Sequence, residues 1–359
     1  MNWFTRLFLW IGRLFLPKDK PPGELPVETP SSRSQTPTPV YDEPDSTPTP
    51  EFYTPIGDAQ PIYVVAHTTD DTMTLPDDFA INLDHMIPVE SGQAVSKGWT
   101  SYSDKKPLGV TWHWTATWDL KTCTRILGGS DALRKGEASC HYGIGRTFDE
   151  GVHQYIDLDN RSWHAGAGQT KNYDGTPLKS SRYKASRNTV GIETVHIGYT
   201  RKKVPRLDDY YDVGTQNGSI ITVAPWTEEQ ILMMIHVGKL IVERFPHIGP
   251  RDHHGHHDIC PGRKTDVNGF PFARVLRGIY GDDSIPDVWS EFWEGEAGIQ
   301  ARQQALIDLG YNLGSYGADG DWGRMSEAAL EKFQRDNGMV DDGMWDTYVC
   351  WKIHDLRNG

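Results

Sequence analysis

The chain is short of three things: long apolar runs, cysteine pairs and positive charge. Its most apolar stretch, residues 1–16, would reach only about 24 Å as a helix, less than the ~30 Å hydrocarbon core of a bilayer. That stretch is therefore not expected to span a membrane. Cys123, Cys140, Cys260 and Cys350 are far apart and form no C-x-x-C pair, which argues against both a disulfide framework and a zinc ribbon. Lys and Arg number 36 against 49 Asp and Glu, a formal net charge of −13. Binding a phosphate polymer needs clustered cations that displace counterions, so nucleic acid is not expected as a partner.

What is present suffices for two folded domains: 359 residues, 37% of them hydrophobic. Residues 1–16, MNWFTRLFLWIGRLFL, separate on a helical wheel into an apolar arc (Trp3, Phe4, Leu7, Phe8, Trp10, Ile11, Leu14, Phe15) and a face with Arg6 and Arg13. This is the pattern of a basic amphipathic helix lying in a membrane interface; a groove on a partner protein suits the same face. No small-x-small cleavage site follows, so a removable signal peptide is the weaker reading. Residues 17–62 hold 12 of the 23 prolines among Thr, Ser, Asp and Glu, a composition that cannot bury enough apolar surface to fold, and they are read as a disordered linker.

Residues 63–281 are expected to form the main domain, with the weakly patterned part up to 107 at its edge. Val110, Trp112 and Trp114 alternate with Thr111, His113 and Thr115, the period of a strand, with His113 opposite the apolar side chains. Further strands are expected at 140–145, 152–157 and 190–195, and helices near 124–135 and 227–245. Thr227 and Gln230 form a capping box on the last of these, and Ile231, Met234, Ile235, Gly238, Ile241, Val242 and Phe245 mark its apolar face. Strands interspersed with helices indicate an α/β domain with a sheet covered by helices. Residues 282–296 read as an acidic connector, and 297–357 as a small all-α domain with three apolar stripes. Two Asp-Gly turns, each followed by a Trp (Trp322, Trp345), are expected to seal its core.

The most unusual stretch is His253–Asp266, HHGHHDICPGRKTD, with four imidazoles, a thiol, two carboxylates, an Arg and a Lys broken by Gly and Pro. Composition alone leaves two readings open, a metal half-site and a polar surface loop. A catalytic zinc needs three N or O ligands and an open position; His113 on its strand is placed to join His256 and Asp266 from this loop.

GHHDICPGRKTD at 255–266, with HWTAT at 113–117, CHYGIG at 140–145, SWHAG at 162–166 and NTVGIE at 188–193, resembles the type 2 N-acetylmuramoyl-L-alanine amidases. That family includes phage lysins, bacterial anhydro-muropeptide amidases and, more distantly, peptidoglycan-recognition proteins. The resemblance covers roughly residues 107–275 and implies a mixed central sheet flanked by helices. It puts one Zn2+ on His113, His256 and Asp266, a catalytic carboxylate at Glu193 and an oxyanion-stabilising lysine at Lys264. One branch of the family has a Tyr where this chain has Cys140, and the phage branch has a Cys ligand where Lys264 stands; Cys260, only four residues after His256, is a poor substitute. The bond implied joins N-acetylmuramic acid to L-alanine. Zinc acidifies water and polarises the carbonyl, Glu193 shuttles the proton, and Lys264 stabilises the oxyanion.

Trp163 and His164 are candidates to line the substrate groove and Arg263 to meet a substrate carboxylate. His141 reads as a satisfied core histidine, and His253, His254 and His257 as solvated loop residues, with support of the zinc ligands from behind as the alternative. The C-terminal unit resembles the three-helix peptidoglycan-binding module, through QALIDLG at 304–310, DGDWG at 319–323, AALEKFQ at 328–334 and Asp342-Gly343. The resemblances together imply a zinc-dependent hydrolase, a phage lytic protein or a bacterial cell-wall enzyme, that takes peptidoglycan as partner and acts at the cell wall or periplasm. The rival readings are a non-catalytic peptidoglycan receptor and a stem-peptide metallopeptidase.

Overall fold

In the computed structural model, residues 73–87, 99–102, 106–128 and 138–359 are described. The expected interfacial helix at 1–16 and linker at 17–62 lie outside them. In chain order the strands are β1 (Trp99–Thr100), β2 (Gly109–Trp114), β3 (Tyr142–Ile144), β4 (Val152–Gln154), β5 (Arg161–Ser162), β6 (Thr189–Thr194), β7 (Tyr211–Gly214), β8 (Ile220–Val223) and β9 (His253–Gly255). The helices are α1 (Leu120–Leu127), α2 (Glu228–Arg244), α3 (His256–Ile259), α4 (Phe272–Tyr280), α5 (Ser290–Trp293), α6 (Gly295–Asp308), α7 (Arg324–Asp336) and α8 (Thr347–Asn358).

A five-stranded mixed sheet in the order β4-β3-β6-β2-β9 forms the centre. β3, β6, β2 and β9 run parallel, and β4 closes one edge antiparallel to β3. This is the α/β domain that the strand and helix alternation implies, with the mixed central sheet that the resemblance implies. All six residues of β2 are buried, as befits a strand between two parallel neighbours. Val110, Trp112, Val190 and Ile192 join one core with Ile231, Met234, Val237 and Ile241 of α2 and Val275, Leu276 and Ile279 of α4.

Local chemistry sets the helix ends. Gln230 N–H donates to Thr227 Oγ1 at 3.1 Å and Thr227 N–H to Gln230 Oε1 at 3.2 Å, the reciprocal capping box read from the sequence. The first helix begins four residues earlier than expected because Asp119 caps it, accepting from Thr122 N–H at 2.6 Å. The segment up to 107 contributes edge contacts: β1 pairs with β5, and Ile87 N–H donates to Tyr155 O at 2.7 Å.

The run at 253–255 is a strand, not a solvated loop. β9 pairs in parallel with β2, Val110 opposite His253 and Thr111 opposite His254. His253, His254 and His257 are buried accordingly, which corrects the solvated reading. Backbone pairing with β2 outweighs the polarity of the side chains, and the first two imidazoles find hydrogen-bond partners. His254 Nε2 lies 2.8 Å from Thr111 Oγ1, and His253 Nε2 2.9 Å from Tyr280 Oη.

The stretch 282–296 is acidic in composition but buries Ile285, Val288, Trp289, Phe292 and Trp293. These join the sheet's core to that of the C-terminal helices, where Leu306, Leu330, Phe333, Trp345, Val349 and Ile353 are buried. Arg302 of α6, fully buried, locks the two parts together. Its guanidinium donates to Phe292 O at 2.7 Å and Gly214 O at 3.0 Å, and to Thr215 O. It stacks over the Trp293 ring, 4.7 Å from the centroid.

Candidate metal centre

Three parallel strands end at one edge of the sheet, and the candidate residues collect there. His113 is the penultimate residue of β2, Glu193 lies opposite it on β6, and His256 follows directly on β9. The loop after α3 then brings Asp266 back, held by a hydrogen bond from His257 N–H to Asp266 O at 2.6 Å. His113 Nδ1 lies 3.1 Å and His256 Nδ1 2.9 Å from Asp266 Oδ2. One ligand atom from each residue falls within 4.8 Å of the others, and all three residues are buried.

The second nitrogen of each imidazole is already engaged. His113 Nε2 lies 2.9 Å from His164 Nδ1, and His256 Nε2 lies 3.1 Å from Ala165 O. Both Nδ1 atoms are thereby turned toward Asp266, as metal-binding histidines are oriented by a partner on the far nitrogen. Burial lowers the pKa of His113 to about 4, with the neighbouring His256 adding to the effect, and burial also lowers that of His256. Burial pushes Asp266 up, but the His256 ring, the Lys264 ammonium and hydrogen bonds from both histidines hold it well below the usual carboxylate range. Neutral imidazoles and an ionised carboxylate are the forms that ligate a metal. Two nitrogens and one oxygen in a buried cluster fit a divalent ion such as Zn2+ as three of its four ligands.

Glu193 is half-buried, and its Oε2 has no hydrogen-bond partner. A buried unpaired carboxylate oxygen is costly and calls for an explanation. Burial, reinforced by the negative charge of Asp266 and opposed by Lys264, raises its pKa well above the ordinary value. Lys264 is half-buried, and its charge is felt by His113, His256, Asp266 and Glu193 alike.

The other sequence candidates divide. His164 packs edge-on to His113 with ring centroids 5.1 Å apart, and its Nε2 lies 3.3 Å from Thr189 Oγ1. Gly191 on β6 makes this possible, since a Cβ there would sit 2.3 Å from His164 Cγ. Trp163 is half-buried, its backbone exchanging hydrogen bonds with Ser139. Arg263 is exposed as a residue yet donates to Ala165 O at 3.2 Å and Cys260 Sγ at 3.1 Å. Cys260 is buried beside it, and burial raises its thiol pKa. Cys140 Sγ donates to Tyr142 O. His141 is a satisfied core histidine, with Tyr102 Oη and Asn160 O on Nε2 and Ser162 Oγ and Gly191 N–H on Nδ1. The link from His164 to His113 has no sequence signal, because 51 residues separate them.

A cluster with the donor set of a metal site, at the C-terminal ends of the parallel strands of a mixed sheet, is what these features define. Residues 103–269 match the N-acetylmuramoyl-L-alanine amidase family, and residues 295–349 match the putative peptidoglycan binding domain family. The chain is thus an N-acetylmuramoyl-L-alanine amidase with peptidoglycan as its partner, acting at the cell wall.

Among solved structures the chain is similar to the amidase AmiD from E. coli, in complex with anhydro-N-acetylmuramic acid-L-Ala-D-gamma-Glu-L-Lys. The identity is 20% over 75% of this chain and 93% of that one, with a TM-score of 0.40. It is also similar to AmpDh3 from Pseudomonas aeruginosa, 19% identical over 76% of this chain and 98% of that one, TM-score 0.38. The catalytic domain of XlyA is 20% identical over 56% of this chain and 99% of that one, TM-score 0.30. A comparison with curated proteins finds no match.

Proposed function

We propose that the amidase acts with one zinc ion held by His113, His256 and Asp266. The observation that carries this reading is the buried cluster itself: two oriented imidazoles on one ionised carboxylate, beside the unpaired Glu193 oxygen. A zinc ion there would supply Lewis acidity, acidifying a water molecule and polarising the scissile carbonyl. Glu193 takes the proton of the attacking water at its carboxylate and returns it to the amine of L-alanine as the amide C–N bond breaks. Lys264 offers an ammonium to the oxyanion formed at the lactyl carbonyl. Arg263, at the exposed rim, meets carboxylates of the stem peptide, and Trp163 with His164 form the groove wall behind it. The cell wall of a bacterium, reached from either face, is the site of action.

The test is incubation of the purified chain with peptidoglycan sacculi, with and without chelator, beside Glu193→Gln and His113→Ala. The expected products carry new L-alanine amino termini and no new sugar reducing ends, and both substitutions and chelation abolish them. New amino termini within the stem peptide would instead mark a metallopeptidase, and full turnover under chelation would remove the metal from the reaction.

We further read residues 1–16 as an interfacial helix, on the two-faced pattern of their sequence. Among the described residues no helix is long and apolar enough to cross a membrane. Liposome co-sedimentation of the full chain against a chain starting at Pro17 tests this, and equal sedimentation would refute it.

A further inference from the structure

Two residues after His256, Asp258 is completely buried, and its carboxylate serves two elements at once. Oδ2 accepts from the N–H of Gly255, the residue before His256, at 2.6 Å, and so caps the short helix α3 that presents this ligand. The same oxygen accepts from Thr347 Oγ1 at 2.9 Å, while Oδ1 accepts from Thr347 N–H at 2.9 Å. Thr347 is the first residue of α8, in the peptidoglycan-binding module. A helix cap needs one oxygen; two of the three bonds here go to the other domain.

The start of α8 is held firmly where Asp258 meets it. Asp346 caps α8 by accepting from Val349 N–H at 2.8 Å, and its other oxygen receives Lys171 of the amidase domain. Lys171 Nζ also lies 2.8 Å from Asp342. Tyr348 Oη donates to Tyr173 O at 3.0 Å, and Trp289 Nε1 donates to Thr347 Oγ1 at 3.2 Å. Asp258 is thus bonded to a fixed point of the module on one side and to the backbone of the ligand helix on the other.

We propose that Asp258 is a positioning residue through which the peptidoglycan-binding module holds His256 in metal-binding geometry. This rests on the reading of His113, His256 and Asp266 as the metal site. A carboxylate is required because three donors converge on it; an amide would turn an NH2 group against one of them. The wall-binding module is by this account a part of the catalytic scaffold as well as an anchor.

The full-length chain and its variants are titrated with Co2+, followed by visible absorption of the bound ion, with far-UV circular dichroism and melting as folding controls. Wild type is expected to bind one equivalent. Asp258→Asn should lower the affinity about 10- to 100-fold and shift the bands, the size typical of losing a partner behind a ligand. Thr347→Val should lower it by a smaller factor, and Thr347→Ser, which keeps the hydroxyl, should restore it. Arg251→Ala breaks the exposed Arg251–Asp355 pair across the same interface and should leave affinity and bands unchanged.

Folded Asp258→Asn and Thr347→Val with wild-type affinity and band positions would overturn the proposal. Should Asp258→Asn not fold, Thr347→Val decides by the same criterion. A wild type that takes up no Co2+ would overturn the metal reading and this inference together. Uptake by wild type with unaltered variants overturns the inference alone.

Discussion

Glu193 and His113 stand directly opposite each other on neighbouring parallel strands, so a carboxylate and the imidazole of a proposed metal ligand share one face of the sheet. Replacing Glu193 by Gln should therefore leave the metal site intact while removing proton transfer. We expect kcat to fall about 10²- to 10⁴-fold, with KM and bound metal little changed, measured by steady-state kinetics on a soluble muropeptide and by metal analysis.

As the proposed base, the same carboxylate should set the acid side of the pH profile. Burial, with Asp266 adding to it, raises the Glu193 pKa. A general base is lost when protonated, so activity should fall as pH drops through a pKa above the ordinary carboxylate value. A kcat/KM profile locates this limb; in the residual activity of Glu193→Gln it should be gone.

His164 touches no proposed metal position, yet it holds the far nitrogen of His113. His164→Ala should weaken metal binding about 10- to 100-fold, read by competition with a chromophoric chelator. An unchanged affinity would leave His164 with groove lining only.

Arg302 satisfies three backbone carbonyls across the junction of the two domains. Arg302→Met orphans them, at about 1–3 kcal/mol for each buried group left without a partner. Urea unfolding should show this loss as a lowered midpoint. It should also show one transition for the whole folded unit, since a single core runs through both domains.

Several buried histidines link stability to acidity. Burial lowers the pKa of His141 to about 4 and that of His196 and His253 to about 3. Each is neutral in the folded chain and takes up a proton on unfolding once the pH drops below its unfolded value near 6.5. Folding stability is thus full above that value and lost as pH falls toward 4, by about 1.4 kcal/mol per pH unit for each group. Urea midpoints at pH 7, 6 and 5 should fall progressively. His196→Gln should make the slope shallower.

How far the sequence carries can be judged residue by residue. Alternation around His113 and the box at Thr227 and Gln230 are local signals, and the strand and cap they imply are there. His253–Gly255 is a strand only because β2 lies alongside to pair with it, and polar composition hides that. In 282–296, counting acids conceals that Trp289, Phe292 and Trp293 fall together on a buried side. Asp258 and Thr347 are 89 positions apart, and nothing local to either announces the other.

The lock that Arg302 forms has a geometric result. With the C-terminal helices and the edge of the sheet that carries His113 and Glu193 joined by one core, the distance between them is a constant of the fold. A change in the placing of the C-terminal helices relative to that edge would require a change in the shared core.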